Sequence, residues 1–207
     1  MDRLHDMCHL EEKALLALSR RLTPMTTAQA ELTGDYTIDA AHSRMGFSAR
    51  HAMVTKVRGS FNDFEGTIHI DGADPAKSSA RIAIQAKSID TRNSQRDEHL
   101  RTNDFLDMDN HPEMTFVSTQ VQPINETTFR MIGDLTIRGV TRQVSLDLEY
   151  LGTATDPYGN VRAGFEGSAG LNRKDFGVNW NAVLEGGGVM VSDKVKLELE
   201  ISAIKNP

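Results

Sequence analysis

From residue 36 onward, apolar side chains return at every second position, a period produced by a strand with one buried and one wet face. Val195, Leu197, Leu199 and Ile201 alternate with Lys196, Glu198 and Glu200, and Ala80, Ile82, Ile84 and Ala86 alternate with Arg81 and Gln85. Phe129, Met131, Gly133, Leu135 and Ile137 alternate with Arg130, Asp134 and Thr136, and Val144, Leu146, Leu148 and Tyr150 repeat the pattern. Further strands are expected over residues 45–51, 54–61, 66–70, 115–121 and 161–171. About eight or more such segments, separated by turn signals, predict an all-β fold, either an antiparallel barrel or a sandwich. A chain of 207 residues builds this as one domain.

Two segments depart from the period of two. Leu4, Met7, Leu15, Leu18 and Leu22 recur at helical spacing, so residues 1–24 read as an amphipathic N-terminal extension. Residues 25–33 read as a linker, with Met25 as an alternative start. Residues 88–109 carry little apolar surface; Thr91 or Asn93 can cap a short polar helix there, and Asn103 a second turn. A polar helix inside an all-β chain is expected to cover a barrel end as a lid rather than to sit in the core.

Composition narrows the function. A net charge of −6 offers no broad positive field, so no nucleic acid is expected as a partner. Cys8 is the only cysteine, which excludes an intramolecular disulfide and a four-cysteine zinc site. No run approaches the roughly 18 apolar residues of a membrane span, so no integral membrane segment is expected. The apolar run at residues 14–18 is too short for a signal-peptide core, which makes the cytoplasm the expected location.

Candidate catalytic and metal-binding groups are few. His5, Cys8, His9 and Glu12 share one helical face, but a single short helix gives such ligands no supporting layer, and no metal is expected. Asp39, His42 and Ser43 hold the residue types of a hydrolytic triad, as do Ser94, Asp97 and His99, yet neither set can bring nucleophile, base and orienter together. Capping and turn roles suit both sets better. Residues 186–188, three glycines, read as a turn, since no helix N-terminus follows to hold a phosphate. No enzymatic activity is expected from these residues.

Whether the interior is filled depends on side-chain size. Ala163, Gly167 and Ala169 punctuate the apolar face of one strand, and Gly133, Ala80 and Ala86 lie on others. In a closed sheet of about eight strands, small inward residues leave room for a ligand, unless large side chains opposite fill the gaps.

The runs YTIDAAHSRMGFSARH (residues 36–51), VRGSFNDFEGTI (57–68), SIDTRNSQRDEHLRTNDFLD (88–107) and HPEMTFVST (111–119) resemble the polyisoprenoid-binding, YceI-like family. So do GDLTIRGVTRQVSLDL (133–148), LNRKDFGVNW (171–180) and VSDKVKLELEI (191–201). The resemblance implies an extended lipocalin-like barrel over residues 34–207 whose apolar channel binds and carries a polyisoprenoid or similar amphiphile. It implies a bound isoprenoid or fatty lipid, not a cofactor, and many members of that family are periplasmic. Family position and alternation together nominate Phe47, Phe61, Phe64, Phe105, Phe116, Phe165, Phe176 and Trp180 as channel lining, although aromatic residues also dominate ordinary cores. Arg92, Arg96 and His99 gather the richest set of head-group donors at a barrel end. Two other functions stay open: an enzyme acting on an isoprenoid or its head group, and a sequestering protein for other hydrophobic molecules such as quinones or antibiotics. A homodimer, or a partner docked on the N-terminal helix, also stays open.

Overall fold

The computed structural model describes residues 32–207 apart from residue 186. The N-terminal helix, the His5, Cys8, His9 and Glu12 face and most of the linker therefore lie outside the described residues. Eleven strands form one antiparallel sheet. In chain order they are β1 (Gly34–Ile38), β2 (Arg44–His51), β3 (Thr55–Phe61), β4 (Phe64–Ile70), β5 (Ser79–Gln85) and β6 (Ile89–Asp90). After the helix α1 (Ser94–Arg101) come β7 (Glu113–Pro123), β8 (Thr128–Ile137), β9 (Val140–Thr155), β10 (Val161–Asn172) and β11 (Val191–Lys205).

Eleven strands make eight staves, because three staves are each broken in two. β11 pairs along one edge with β10 and along the other with both β2 and β1, so β1 and β2 are two halves of one stave. Likewise β3 and β4 pair with β6 and β5 respectively. The ring then runs β1/β2, β3/β4, β5/β6, β7, β8, β9, β10, β11 and back to β1, a closed up-and-down barrel in which only the short β6 lacks a second strand partner among the described residues.

Local chemistry makes each break. Asp39 caps the 3-10 turn Ala40–His42: its Oδ1 accepts the Ala41 N–H (3.1 Å) and its Oδ2 lies 2.8 Å from His42 Nδ1. A second 3-10 turn, Ala86–Ser88, divides β5 from β6 beside residues 62–63, where Asn62 N–H donates to Ser88 O (3.2 Å) and Gln85 N–H to Asp63 O (2.9 Å). The wall thus bends across neighbouring staves, with these hydrogen bonds tying the bends together.

The segment between β6 and β7 crosses one end of the barrel, and Asn93 caps α1 there by accepting the Arg96 N–H at 2.9 Å. That end also holds the turns at residues 52–54 and 138–139 and the segment 173–190; the turns at 71–78, 124–127 and 156–160 belong to the far end.

Small inward residues do not by themselves leave space. A Cβ on Gly133 would fall 2.5 Å from the Phe116 ring, and one on Gly167 would fall 2.5 Å from Leu148 Cδ2. Tyr36, fully buried, packs with Ala163 and Ala203 near the far end. At these positions large neighbours occupy the space that small residues leave, as close packing demands.

Candidate ligand site

What remains open is visible in the burial of the inward aliphatic side chains. A solid core forms one contiguous cluster; here the buried residues fall into three, centred on Phe116 and Leu135, on Tyr36, and on Met45 and Phe64. Half-buried side chains join them, among them Ile68, Ile82, Leu148, Leu197 and Leu199. Val195, Leu197, Leu199 and Ile201 alternate along β11 with charged residues that face outward, yet none of the four is sealed from water. In a closed barrel, inward apolar residues that keep partial exposure mark interior space that side chains do not fill.

The two ends differ. At the far end the Tyr36 ring lies among Ala163, Ala203, Ile70 and Phe165, and its hydroxyl donates to Leu32 O (2.8 Å); burial and the neighbouring Tyr150 raise its pKa. At the α1 end three rings from two segments meet: His99 stands edge-on to Trp180 (4.8 Å between centroids) and to Phe105 (5.1 Å), and Phe105 lies 5.2 Å from Trp180.

Arginines hold this lid in place by binding its carbonyls. Arg173, buried, donates from Nε to Ser192 O (3.1 Å) and from a terminal nitrogen to Val178 O (2.9 Å) and Trp180 O (2.7 Å). Its other terminal nitrogen faces Asp193 Oδ1 at 3.6 Å, beyond hydrogen-bond reach, and burial lowers its pKa against the pull of Asp193. Arg138 donates to Phe105 O (3.2 Å) and Gly177 O (3.3 Å), and Arg101 to Lys87 O and Ile89 O.

The nominated aromatic residues divide by place. Phe47 and Phe61 sit 5.6 Å apart and half-buried on β2 and β3; Phe165 pairs with Tyr150 (5.5 Å); Phe64 and Phe116 are buried within separate clusters. Phe105 and Trp180 belong to the lid, and Phe176 is buried beneath it. The three nominated head-group donors do not converge. Arg96 donates from Nε to Thr91 Oγ1 (2.6 Å) and from a terminal nitrogen to Thr91 O (2.8 Å). His99 Nε2 lies 2.8 Å from Asp104 Oδ2, and Arg92 is exposed on the outer wall beside Arg58 and Asp90. Asp97 is buried and accepts from the Thr91 N–H and hydroxyl, a structural role. The alternation along β11 marks its half-buried aliphatic face in the sequence as clearly as family position marks the aromatic residues. Arg138 carries no local signal, because its partners are carbonyls 33 and 39 residues away, and Arg173 carries none because backbone carbonyls leave no mark in the residue types around it.

Residues 36–203 match the YceI-like domain. The chain belongs to the YceI-like family. A UPF0312 protein of Pseudomonas aeruginosa is 36% identical over 196 residues, 94% of this chain and 98% of the relative; one from Pectobacterium atrosepticum is 36% identical over 169 residues, 81% and 87% of the two chains. Among solved structures, a YceI protein of Campylobacter jejuni is 29% identical with a TM-score of 0.66, covering 76% of this chain and 90% of the other. Burkholderia cenocepacia BcnA (TM-score 0.71, 22% identical, 80% and 98% covered) and a polyisoprenoid-binding domain from Saccharophagus degradans (0.63, 15%, 83% and 98%) share the fold. The same barrel fold thus recurs at low sequence identity, as expected when inward alternation and closure carry the architecture.

Proposed function

We propose that this YceI-like chain binds and carries a long-chain hydrophobic amphiphile, a polyisoprenoid or a similar lipid, in its lumen without reacting it. The observation that carries this reading is the half-buried aliphatic face joining three separate buried clusters. Burying a chain there is worth about 25 cal/mol per Å² removed from water. β9 runs for 16 residues, or about 50 Å at ~3.3 Å per residue, and a strand tilt of roughly 40° leaves an axial length near 40 Å. That length suits an extended chain. The polyisoprenoid-binding neighbour from Saccharophagus degradans agrees with this assignment. The lining residues named above are hydrocarbon and offer neither nucleophile nor base, which supports carriage over catalysis.

Native mass spectrometry followed by organic extraction tests the proposal. A co-purified lipid, or stoichiometric uptake of a long-chain fluorescent probe by delipidated and refolded protein, is the expected result. Protein that neither retains lipid nor takes up the probe overturns it.

A further inference from the structure

The hairpin joining β2 to β3 combines three features that each cost the isolated protein stability. Ala52 and Met53 both take left-handed backbone, with φ of 49° and 58°, where glycine or asparagine is favoured and other residues are strained. Met53 and Val54 are 55% and 80% exposed at the tip. Arg50 and Lys56 stand directly opposite each other across the pair, an arrangement in which like charges repel.

The surroundings extend the same character. Ala52 N–H donates to Met190 O (2.8 Å), which sets the tip beside the loop in which Val183 bridges to Val189, and Val183 is 85% exposed. Behind the tip, Arg44, Lys56, Arg58 and Arg92 line an outer cleft of about 380 Å³ that contains one acid, Asp90. Among the described residues Lys56, Arg58 and Arg92 join no side-chain ion pair, and Arg44 reaches Glu200 only at 3.6 Å. The outer groove over β9, β10 and β11 is opposite in sign, with Asp147, Glu149, Glu166, Glu198 and Glu200. A chain of net charge −6 thus carries Lys56, Arg58 and Arg92, without ion-pair partners among the described residues, on the outer face behind its exposed apolar tip, at the α1 end of the barrel.

We propose that this tip docks the protein on an anionic lipid bilayer, with Met53, Val54 and Val183 entering the acyl boundary and Arg50, Lys56, Arg58 and Arg92 meeting head-group phosphates. A few protruding apolar side chains do not make the roughly 800 Å² per partner of a stable protein interface, whereas apolar tips flanked by Lys and Arg suit a bilayer interface. Each of the three local costs is then offset: the strained turn projects the side chains, lipid covers them, and phosphates separate the paired cations. The proposal rests on the carrier reading for its purpose, since a carrier must meet the membrane that supplies or receives its cargo.

The test is vesicle flotation of the full chain, with phosphatidylcholine alone and with phosphatidylcholine mixed with phosphatidylglycerol. The protein floats with the mixed vesicles and not with the neutral ones. Each cation near an anionic surface strengthens attachment about fivefold, so Lys56→Glu with Arg58→Glu weakens flotation at least about tenfold. Met53→Asp with Val54→Asp abolishes it, and Tyr158→Asp, at an exposed far-end turn, leaves it unchanged. Tyr158→Asp keeps the parent unfolding midpoint and neither tip variant lowers it, because the altered side chains are exposed and Lys56→Glu removes the repulsion from Arg50. No flotation with anionic vesicles, equal flotation with neutral ones, or retention by both tip variants overturns the proposal. Displacement by inorganic phosphate beyond that by chloride of equal ionic strength also overturns it, assigning the cations to a soluble anion. Uptake of the fluorescent chain from solution, measured on the same proteins, keeps the two readings apart. Flotation without uptake sinks the carrier, and uptake without flotation sinks the docking.

Discussion

At the residue scale, a small side chain is informative only together with its neighbour. Gly133 and Gly170 both interrupt strands, but a Cβ at Gly133 would meet the Phe116 ring at 2.5 Å and Val117 O at 2.6 Å, whereas one at Gly170 has nothing within 4 Å. The ring can shift only into the packed cluster around Leu135, and the carbonyl belongs to the ladder. Gly133→Ala therefore destabilises by about 1–3 kcal/mol through overpacking, lowering the unfolding midpoint by ~2–4 °C per kcal/mol in a chain of this size. Gly170→Ala is neutral or slightly stabilising, because alanine restricts the unfolded chain without meeting anything. Calorimetry of the two variants decides; equal midpoints would show that Gly133 is not filled by Phe116. Alternation places Gly133 on the inward face and Gly170 on the outward one, but it does not say that Phe116 fills the space beside Gly133. The same holds for the arginines: Arg96 and Arg92 look alike as head-group donors, yet one is bound to Thr91 and the other faces outward.

At the element scale, alternation made the staves legible but concealed their breaks. Residues 45–51, 115–121 and 161–171 were readable as strands and fall within β2, β7 and β10, while the capped lid helix was readable from Asn93. That residues 34–51 form one bent stave was not readable, because the bend depends on partners across the barrel. Asp39 caps the bend and is held by Arg162, whose terminal nitrogen lies 2.6 Å from Asp39 Oδ2 and whose Nε lies 2.9 Å from Asp156 Oδ2. The Arg162 hydrogen bond, with help from His42 and the Ala41 N–H, holds the Asp39 carboxyl below its ordinary pKa against partial burial. The Asn160 side chain does the same for Asp156, supported by backbone N–H groups and Arg162, and holds it well below the usual carboxylate range. Both carboxyls thus titrate lower in the folded than in the unfolded chain. Their contribution to stability is complete above an unfolded value near pH 4 and is lost as pH falls through the folded values. Urea midpoints should stay flat from neutrality to about pH 5 as far as these two groups are concerned, then fall. Arg162→Gln should lower the neutral plateau and flatten the acid limb, mainly through Asp39, and Asn160→Ala should do so through Asp156. An acid limb of unchanged slope in both variants would remove these carboxyls from the account.

At the scale of the whole molecule, the two ends of the barrel are unequal, and on the proposed carrier function that inequality would orient the cargo. A chain can be solvated anywhere along the apolar lining, but a phosphate or hydroxyl buried without partners is costly, so the head must stay at an opening. The far end is occupied by the fully buried Tyr36 packed with Ala163 and Ala203, whereas the α1 end is covered by three rings contributed by two segments. The chain should enter tail first at the α1 end and leave its head beside the lid. Trp180, the only tryptophan, stands in that lid and reports on it without labelling. Bromine on a bound chain quenches tryptophan emission on contact, so a long-chain amphiphile brominated next to its head group should quench Trp180 strongly, and one brominated at the tail should quench it weakly at equal occupancy. The lid's packing makes the difference specific: Trp180 touches His99 and Phe105 at the rim, while a tail that has passed Leu197 and Leu199 lies deeper among the staves. Stronger quenching by the tail label would reverse the chain in the lumen and place the head at the Tyr36 end. Equal quenching by both labels would mean that the amphiphile folds back at the lid or binds outside the barrel, and the single-ended lumen would then have to be abandoned.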